Sequence, residues 1–267
     1  MLREAAAEIE EIGVGALWFP EIQEAFAQGA VILSATSRLI ACTSIANIYA
    51  RDASAAAGGA NTLAEAFGGR FVLGLGSSHR PIVEGRGHAY RGPYTAMVEY
   101  LDAMDETVLV GAIAPEPAPR LLAALGPRML RLAADRSVGA HSYCVPVAHT
   151  AAARETMGQG PLLCVEQGVV LTEDREVALA AAGRYLEVHL GLEAYRSNLL
   201  RLGWSESQLT VDTMLDELIV WGDEDTIAER VGRHLEAGAD HVCVQPLPSE
   251  EPSMEMVRRL LPALLSR

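Results

Sequence analysis

The chain has 267 residues, of which half are hydrophobic and 21% are charged, a composition typical of a folded globular protein. Its 35 acidic and 21 basic residues give a formal net charge of −14 at pH 7. Such a charge excludes nucleic acid and anionic membrane surfaces as expected partners. The sequence offers no uncharged run suited to crossing a bilayer, and Met1 leads into a charged helical pattern rather than a secretory signal. We therefore predict a cytoplasmic protein.

The four cysteines lie far apart, each within an apolar run that resembles a strand: Cys42, Cys144, Cys164 and Cys243. Zinc sites normally use closely spaced ligand pairs, and disulfides are rare in reducing compartments. This spacing predicts buried thiols and no metal site.

Helical periods and short apolar runs alternate along the chain, starting with a helix that ends at Gly13. The predicted strands are 16–19, 39–46, 71–75, 120–125, 137–144, 162–171 and 241–247. The predicted helices are 2–12, 21–36, 53–67, 94–104, one that starts at 128, 147–157, 175–221 with breaks near Gly203 and Gly222, 226–237 and a last helix at the C-terminal end. Residues 76–93 are predicted to form a loop.

This regular alternation predicts an α/β fold with parallel strands. The length matches the roughly 250 residues of a (β/α)₈ TIM barrel, and we predict a single barrel domain over 1–267. Because the pattern gives seven strands and opens on a helix, we expect the first barrel strand to be missing from this chain. The alternative is an open doubly wound sheet, although the G-x-G-x-x-G turn usual after its first strand is absent.

Five motifs occur in the order found in one family. They are Thr43 to Asp52 (TSIANIYARD), Leu17 to Glu21 (LWFPE), Gly69 to Gly76 (GRFVLGLG), Ala123 to Met129 (AALGPRM) and Gly238 to Val242 (GADHV). Together they resemble the luciferase-like monooxygenase superfamily, and most closely its actinobacterial branch of oxidoreductases that depend on the deazaflavin coenzyme F-420. The resemblance covers nearly the whole chain.

The resemblance implies a luciferase-like barrel, usually dimeric, that holds a flavin or deazaflavin at the C-terminal ends of its strands. It also implies a non-proline cis peptide bond at the end of the family's third strand, here Ser44–Ile45. The cofactor-binding residues that it implies are Ser44, Ile45, Asn47, Gly74, Gly76, Ser77, Gly126, Pro127, Arg128, Met129 and His141.

The turn at Gly126-Pro127 also has a physical interpretation of its own. A glycine between a strand and a helix start exposes backbone N–H groups and the positive end of the helix dipole, both of which favour a phosphate. Arg128 adds a positive charge. The family resemblance points to the same turn for the cofactor phosphate, although a plain strand-to-helix turn would give the same pattern.

The loop from Ser77 to Pro93 reverses the sign of the charge locally. It contains one carboxylate, Glu84, against His79, Arg80, Arg86, His88 and Arg91. A basic loop would suit the phosphate and oligoglutamate tail of F-420. A solvated flexible loop explains it equally well.

Two residues are candidates for catalytic proton handling: His79, as a proton donor near the cofactor ring, and Glu21. A plain surface histidine explains His79 at least as well. Where alcohol and sugar-phosphate dehydrogenases of the family have an acid followed by His, this chain has Glu21-Ile22, and their second acid aligns with Ser77. The substrate chemistry of those members therefore does not carry over.

Three functional hypotheses remain open. The first is an F-420-dependent oxidoreductase that transfers a hydride to or from a small organic substrate. The second is an FMN-dependent monooxygenase of the same fold. The third is a non-catalytic paralogue that binds the cofactor without turnover. In each case we expect a homodimer.

Overall fold

The computed structural model describes residues 1–21, 24–248 and 253–265. The strands of these residues are β1 Ala16–Phe19, β2 Ile40–Thr43, β3 Ala46–Asn47, β4 Phe71–Gly76, β5 Arg120–Ala123, β6 Gly139–Ser142, β7 Leu162–Leu171, β8 Ile219–Gly222 and β9 His241–Pro246. The α-helices are α1 Leu2–Glu11, α2 Ala25–Ala35, α3 Ala53–Ala66, α4 Arg80–Gly85, α5 Pro93–Asp105, α6 Pro127–Arg136, α7 Val147–Met157, α8 Arg175–Leu190, α9 Glu193–Arg201, α10 Val211–Leu218, α11 Glu224–Glu236 and α12 Ser253–Leu265.

The described chain divides into two compact units. The first comprises residues 1–123 and 132–139, and the second comprises residues 124–131 and 140–267. Strands and helices alternate in both, so the predicted α/β fold is confirmed. The prediction of one domain over the whole chain stays a prediction.

In the first unit, parallel strands pair in the order β1, β2, β4 and β5, and β3 also pairs with β4. The core lies on β4, where Phe71, Leu73 and Leu75 are fully buried. Helix α1 is hydrogen-bonded to the segment that precedes β2. The Glu10 carboxylate accepts hydrogen bonds from the backbone N–H groups of residues 37–39. These donors lower the pKa of Glu10 to about 2.

In the second unit, β7 pairs with β8 on one edge and β9 on the other, so that Gly168 lies opposite both Ile219 and Gln245. One buried polar chain crosses this unit from helix to strand. Thr150 Oγ1 lies 2.8 Å from His234 Nδ1, and His234 Nε2 lies 3.0 Å from Gln167 Oε1. Because every buried donor in this row of side chains meets an acceptor, we assign the hydrogen-bonded row a structural role.

The structure corrects several element predictions. The predicted strand 39–46 is two strands, β2 and β3, with Ser44 and Ile45 between them. The predicted loop 76–93 contains a short helix, α4. The predicted helical stretch 175–221 ends in a strand, β8, because its last residues pair with the C-terminal half of β7. The start of the helix predicted from 21 falls partly on residues 22–23, outside the described part of the chain.

Other expectations agree with the structure. All four cysteines are buried. Among the described residues, α1 is the first element, as expected, but the strands number nine where the sequence pattern gave seven. The absence of a first barrel strand stays a prediction. Over the same residues, we find no helix with the length and apolar character needed to span a membrane.

Candidate cofactor site

A cis peptide bond joins Ser44 to Ile45 in the first unit, as predicted. Two glycines of β4 lie directly against this segment. A Cβ atom on Gly74 would lie 2.0 Å from the carbonyl oxygen of Thr43, and one on Gly76 would lie 2.5 Å from Cγ1 of Ile45. Gly74 therefore lies against the backbone of Thr43, and Gly76 lies against the side chain of Ile45, so that an added side chain would clash at either position.

Hydrogen bonds fix the same segment on both sides. The Ser44 N–H donates to the carbonyl of Phe19 at 2.8 Å, and the Thr43 hydroxyl donates to the carbonyl of Gly74 at 2.8 Å. Asn47 lies opposite Gly76 in the pairing of β3 with β4. The structure thus brings five of the predicted cofactor residues together: Ser44, Ile45, Asn47, Gly74 and Gly76.

Glu21 holds the backbone next to the Ser44–Ile45 segment through its carboxylate. Its Oε2 accepts a hydrogen bond from the Asn47 N–H at 2.6 Å, and its carboxylate forms an ion pair with Arg51. The side chains are buried, with exposed fractions of 3% for Glu21 and 12% for Arg51. Since donors engage both carboxylate oxygens, the geometry gives Glu21 a positioning task. A catalytic role for it stays a prediction.

His79 lies at the start of α4, after Ser77 and Ser78, at the C-terminal end of β4. Its side chain is half-buried, and burial lowers its pKa because the charged imidazolium loses solvation. At neutral pH the ring is therefore predominantly neutral and better suited to accept a proton than to donate one. A role of His79 as proton donor stays a prediction.

The basic loop is less positive than its sequence indicates. Arg80 forms an ion pair with Glu84 at 3.1 Å, and Arg91 forms one with Glu99 of α5 at 2.6 Å. Arg86 lines a cavity of about 380 Å³ on the first unit. The other lining residues are Glu21, Glu24, Phe26, Ala50, Arg51, Ala55 and Gly59.

The predicted phosphate turn lies in the second unit, where Gly126 precedes the first residue of α6, Pro127. A Cβ atom on Gly126 would meet one neighbour within 4 Å, the Nη2 atom of Arg201 at 3.7 Å. This arginine of α9 donates to the Leu125 carbonyl at 3.5 Å and to Asn198 Oδ1 at 3.2 Å. The turn therefore combines open space, a helix N-terminus and a guanidinium group, the combination that an anion requires.

A buried network supports this turn. The Ser142 hydroxyl donates to the Ala124 carbonyl at 2.9 Å and lies 3.2 Å from His149 Nε2, while His149 Nδ1 lies 3.1 Å from Asn198 Oδ1. Burial lowers the pKa of His149 to about 4. Sequence reasoning missed both Asn198 and Arg201, because they reach the turn from a helix about 75 residues further along the chain and no local pattern marks them.

His141 lies on β6 beside the same turn, with its carbonyl accepting from the Ala124 N–H at 3.1 Å. Its side chain is buried, which lowers the pKa to about 4. The ring is therefore neutral at neutral pH. Contact of His141 with a cofactor stays a prediction.

Comparison with known proteins places these features in a family, since residues 1–241 match the family model of luciferase-like monooxygenases. The chain belongs to this family. An inferred coenzyme F-420-dependent oxidoreductase of Mycobacterium tuberculosis is 23% identical over 82% of each chain.

Solved structures show the same fold. An F-420-dependent secondary alcohol dehydrogenase, in complex with an F-420–acetone adduct, superposes with a TM-score of 0.77 at 15% identity, covering 98% of this chain and 94% of the other. The oxygenating constituent of 3,6-diketocamphane monooxygenase of Pseudomonas putida, in complex with FMN, gives a TM-score of 0.73 at 14% identity, covering 98% and 92%. The predicted luciferase-like barrel class is thus confirmed, and the relatives include both deazaflavin and flavin enzymes.

Proposed function

We propose that the chain is an oxidoreductase that transfers a hydride between coenzyme F-420 and a small organic substrate. The M. tuberculosis relative and the alcohol dehydrogenase structure both support the deazaflavin. The observation that carries the proposal is the segment around Ser44–Ile45, where Gly74 makes room for the Thr43 backbone and Gly76 for the Ile45 side chain.

The residues of the second unit fit the phosphate of such a cofactor. The space beside Gly126 is open except for the Arg201 guanidinium, so an anion there would meet a positive charge and the first turn of α6. The turn is held in place by the bonds from Arg201 to Leu125 and from Ser142 to Ala124.

When bound, F-420 supplies the ring carbon that accepts or donates the hydride, and the protein supplies position and electrostatics. Ser44 and Ile45 would support the ring, and Glu21 with Arg51 holds the backbone at Asn47 that follows them. Residues 126–129 and Arg201 would hold the phosphate. Because His79 is half-buried with a lowered pKa, it would act as a proton acceptor near neutral pH.

An FMN-dependent monooxygenase is the second candidate, favoured by the FMN-bound structure of the same fold. The two candidates differ in cofactor preference and in the need for oxygen. A protein that binds either cofactor without turnover would instead be a non-catalytic paralogue.

The variant Gly126→Val tests the phosphate site. Its side chain would fill the space that the phosphate needs, so we expect F-420 affinity, measured by fluorescence titration, to fall about tenfold or more, the equivalent of roughly 1.4 kcal/mol. Gly15→Val is the matched control, because a Cβ atom there meets no atom within 4 Å. Unchanged affinity in Gly126→Val would place the phosphate elsewhere.

A further inference from the structure

The cavity of about 380 Å³ on the first unit combines an apolar surface with arginine side chains. Helix α2 contributes Phe26 to it, helix α3 contributes Ala55 and Gly59, and the C-terminal end of α4 contributes Arg86. Glu24 and Arg86 are exposed, so the cavity opens to solvent. A small molecule can therefore enter it directly.

Three neighbours fix the Phe26 ring in position. Its centroid lies 5.8 Å from that of Phe71, whose side chain is fully buried, and 5.1 Å from Cζ of Arg51. Gly59 makes room for the ring, because a Cβ atom there would lie 2.8 Å from Cδ1 of Phe26. The ring is half-buried, and it gives the cavity a rigid apolar wall that suits the hydrocarbon part of a ligand.

The two acids of the lining already have hydrogen-bond donors. Both oxygens of Glu21 accept from Arg51, and one of them also accepts from the Asn47 N–H. Glu24 accepts from Arg51 at 3.2 Å through Oε1, and from the Ala27 N–H at 2.5 Å through Oε2. Because each of the four carboxylate oxygens already accepts a hydrogen bond, this lining offers little to a cationic ligand.

The Arg86 side chain is different. Arg80 and Arg91 of the basic loop form ion pairs, whereas the Arg86 guanidinium forms no hydrogen bond or ion pair with the described residues. The backbone that carries it is fixed, since the Arg86 N–H donates to the Val83 carbonyl at 3.1 Å and the Val83 side chain is fully buried. The guanidinium therefore lines the cavity with N–H donors that meet no protein acceptor.

These features select the ligand. A guanidinium group pairs with a carboxylate through two parallel hydrogen bonds. The lining contains two acids and two arginines, so its formal charge is zero. A dianion would meet repulsion from Glu21 and Glu24 once Arg86 is neutralised, which favours a ligand with a single negative charge.

We propose that the cavity binds a monocarboxylate with an aromatic or other apolar body, its carboxylate paired with Arg86 and its body packed against Phe26. Binding there requires neither F-420 nor turnover, so it does not depend on the proposed function.

Saturation-transfer difference NMR of the full chain tests the proposal with benzoate as the probe. Benzamide and benzylamine serve as controls of similar size, one neutral and one cationic. We expect saturable binding of benzoate at millimolar concentrations, with saturation transferred to its ring protons, and much weaker binding of both controls.

Two variants of the basic loop locate the charge that matters. Arg86→Gln should weaken benzoate binding about tenfold, the equivalent of roughly 1.4 kcal/mol, because it loses the charged donor. Arg91→Gln is the matched control, since it removes the same charge from the same loop at a residue that pairs with Glu99 and does not line the cavity. It should bind benzoate as the parent does. Both arginines are exposed, so both variants should fold normally, which circular dichroism checks.

Absence of benzoate binding in the parent would overturn the proposal. An equal loss in Arg86→Gln and Arg91→Gln would do the same, because it would reflect the overall charge of the loop. So would benzamide or benzylamine binding as tightly as benzoate, or displacement of benzoate by F-420, which would assign Arg86 to the cofactor. Failure of F-420 to bind while benzoate binds would contradict the proposed function alone.

Discussion

Replacing Gly74 with alanine should destabilise the protein strongly. The added Cβ atom would lie 2.0 Å from the Thr43 carbonyl oxygen, well inside van der Waals contact. Both are backbone positions on paired strands, so no side-chain rotation relieves the clash. Overpacking of this kind costs about 1–3 kcal/mol, and we place Gly74→Ala at about 3 kcal/mol or more because β2 and β4 must separate.

For a chain of this size, about 3 kcal/mol corresponds to a fall in Tm of roughly 6–12 °C, measured by circular dichroism. Gly58→Ala is the control, since this helical glycine of α3 has no atom within 4 Å of an added Cβ. It should raise stability by about 0.5–1 kcal/mol, the ordinary gain of alanine over glycine in a helix. A Tm of Gly74→Ala equal to that of the parent would refute the close approach of β2 and β4.

The remaining predictions concern pH and the phosphate turn. His141, His149 and His234 are buried with pKa values of about 4, against an ordinary 6.5, so between pH 6.5 and 4 they take up protons only on unfolding. Burial raises the pKa of Glu166 from 4.5 to about 7, so this carboxyl releases one proton on unfolding in the same pH range and partly cancels the uptake by the histidines. The free energy of unfolding, measured in urea titrations, should therefore fall by about 3 kcal/mol when the pH is lowered from 6 to 5. A free energy of unfolding that does not change with pH in this range would contradict the prediction. Separately, Arg201→Met should weaken inorganic phosphate binding, measured by calorimetry; an unchanged affinity would remove Arg201 from the site.

The alternation of apolar runs predicted most elements, because hydrophobic periodicity is a local property of the sequence. It failed at β8, where residues 219–222 become a strand only through pairing with Gly168 to Leu171. It also failed at α4, a single short helix inside a loop rich in charge. Pairing with a distant strand decided the structure at β8, and a short-range turn decided it at α4.

The candidate site was predictable where the motif itself was continuous, as at Ser44–Ile45 and Gly126. Arg201 was not, since it reaches the Leu125 carbonyl from a distant helix. The basic loop was visible in the sequence, and what the structure adds is the ion pair of Arg91 with Glu99 of α5.

The most direct test of the central claim is a pair of equilibrium titrations of the purified chain, one with F-420 and one with FMN, each followed by cofactor fluorescence. We predict saturable binding of F-420 that weakens in Gly126→Val and is tighter than binding of FMN. Preference for FMN would favour the monooxygenase alternative, and binding of neither cofactor would contradict the proposed function.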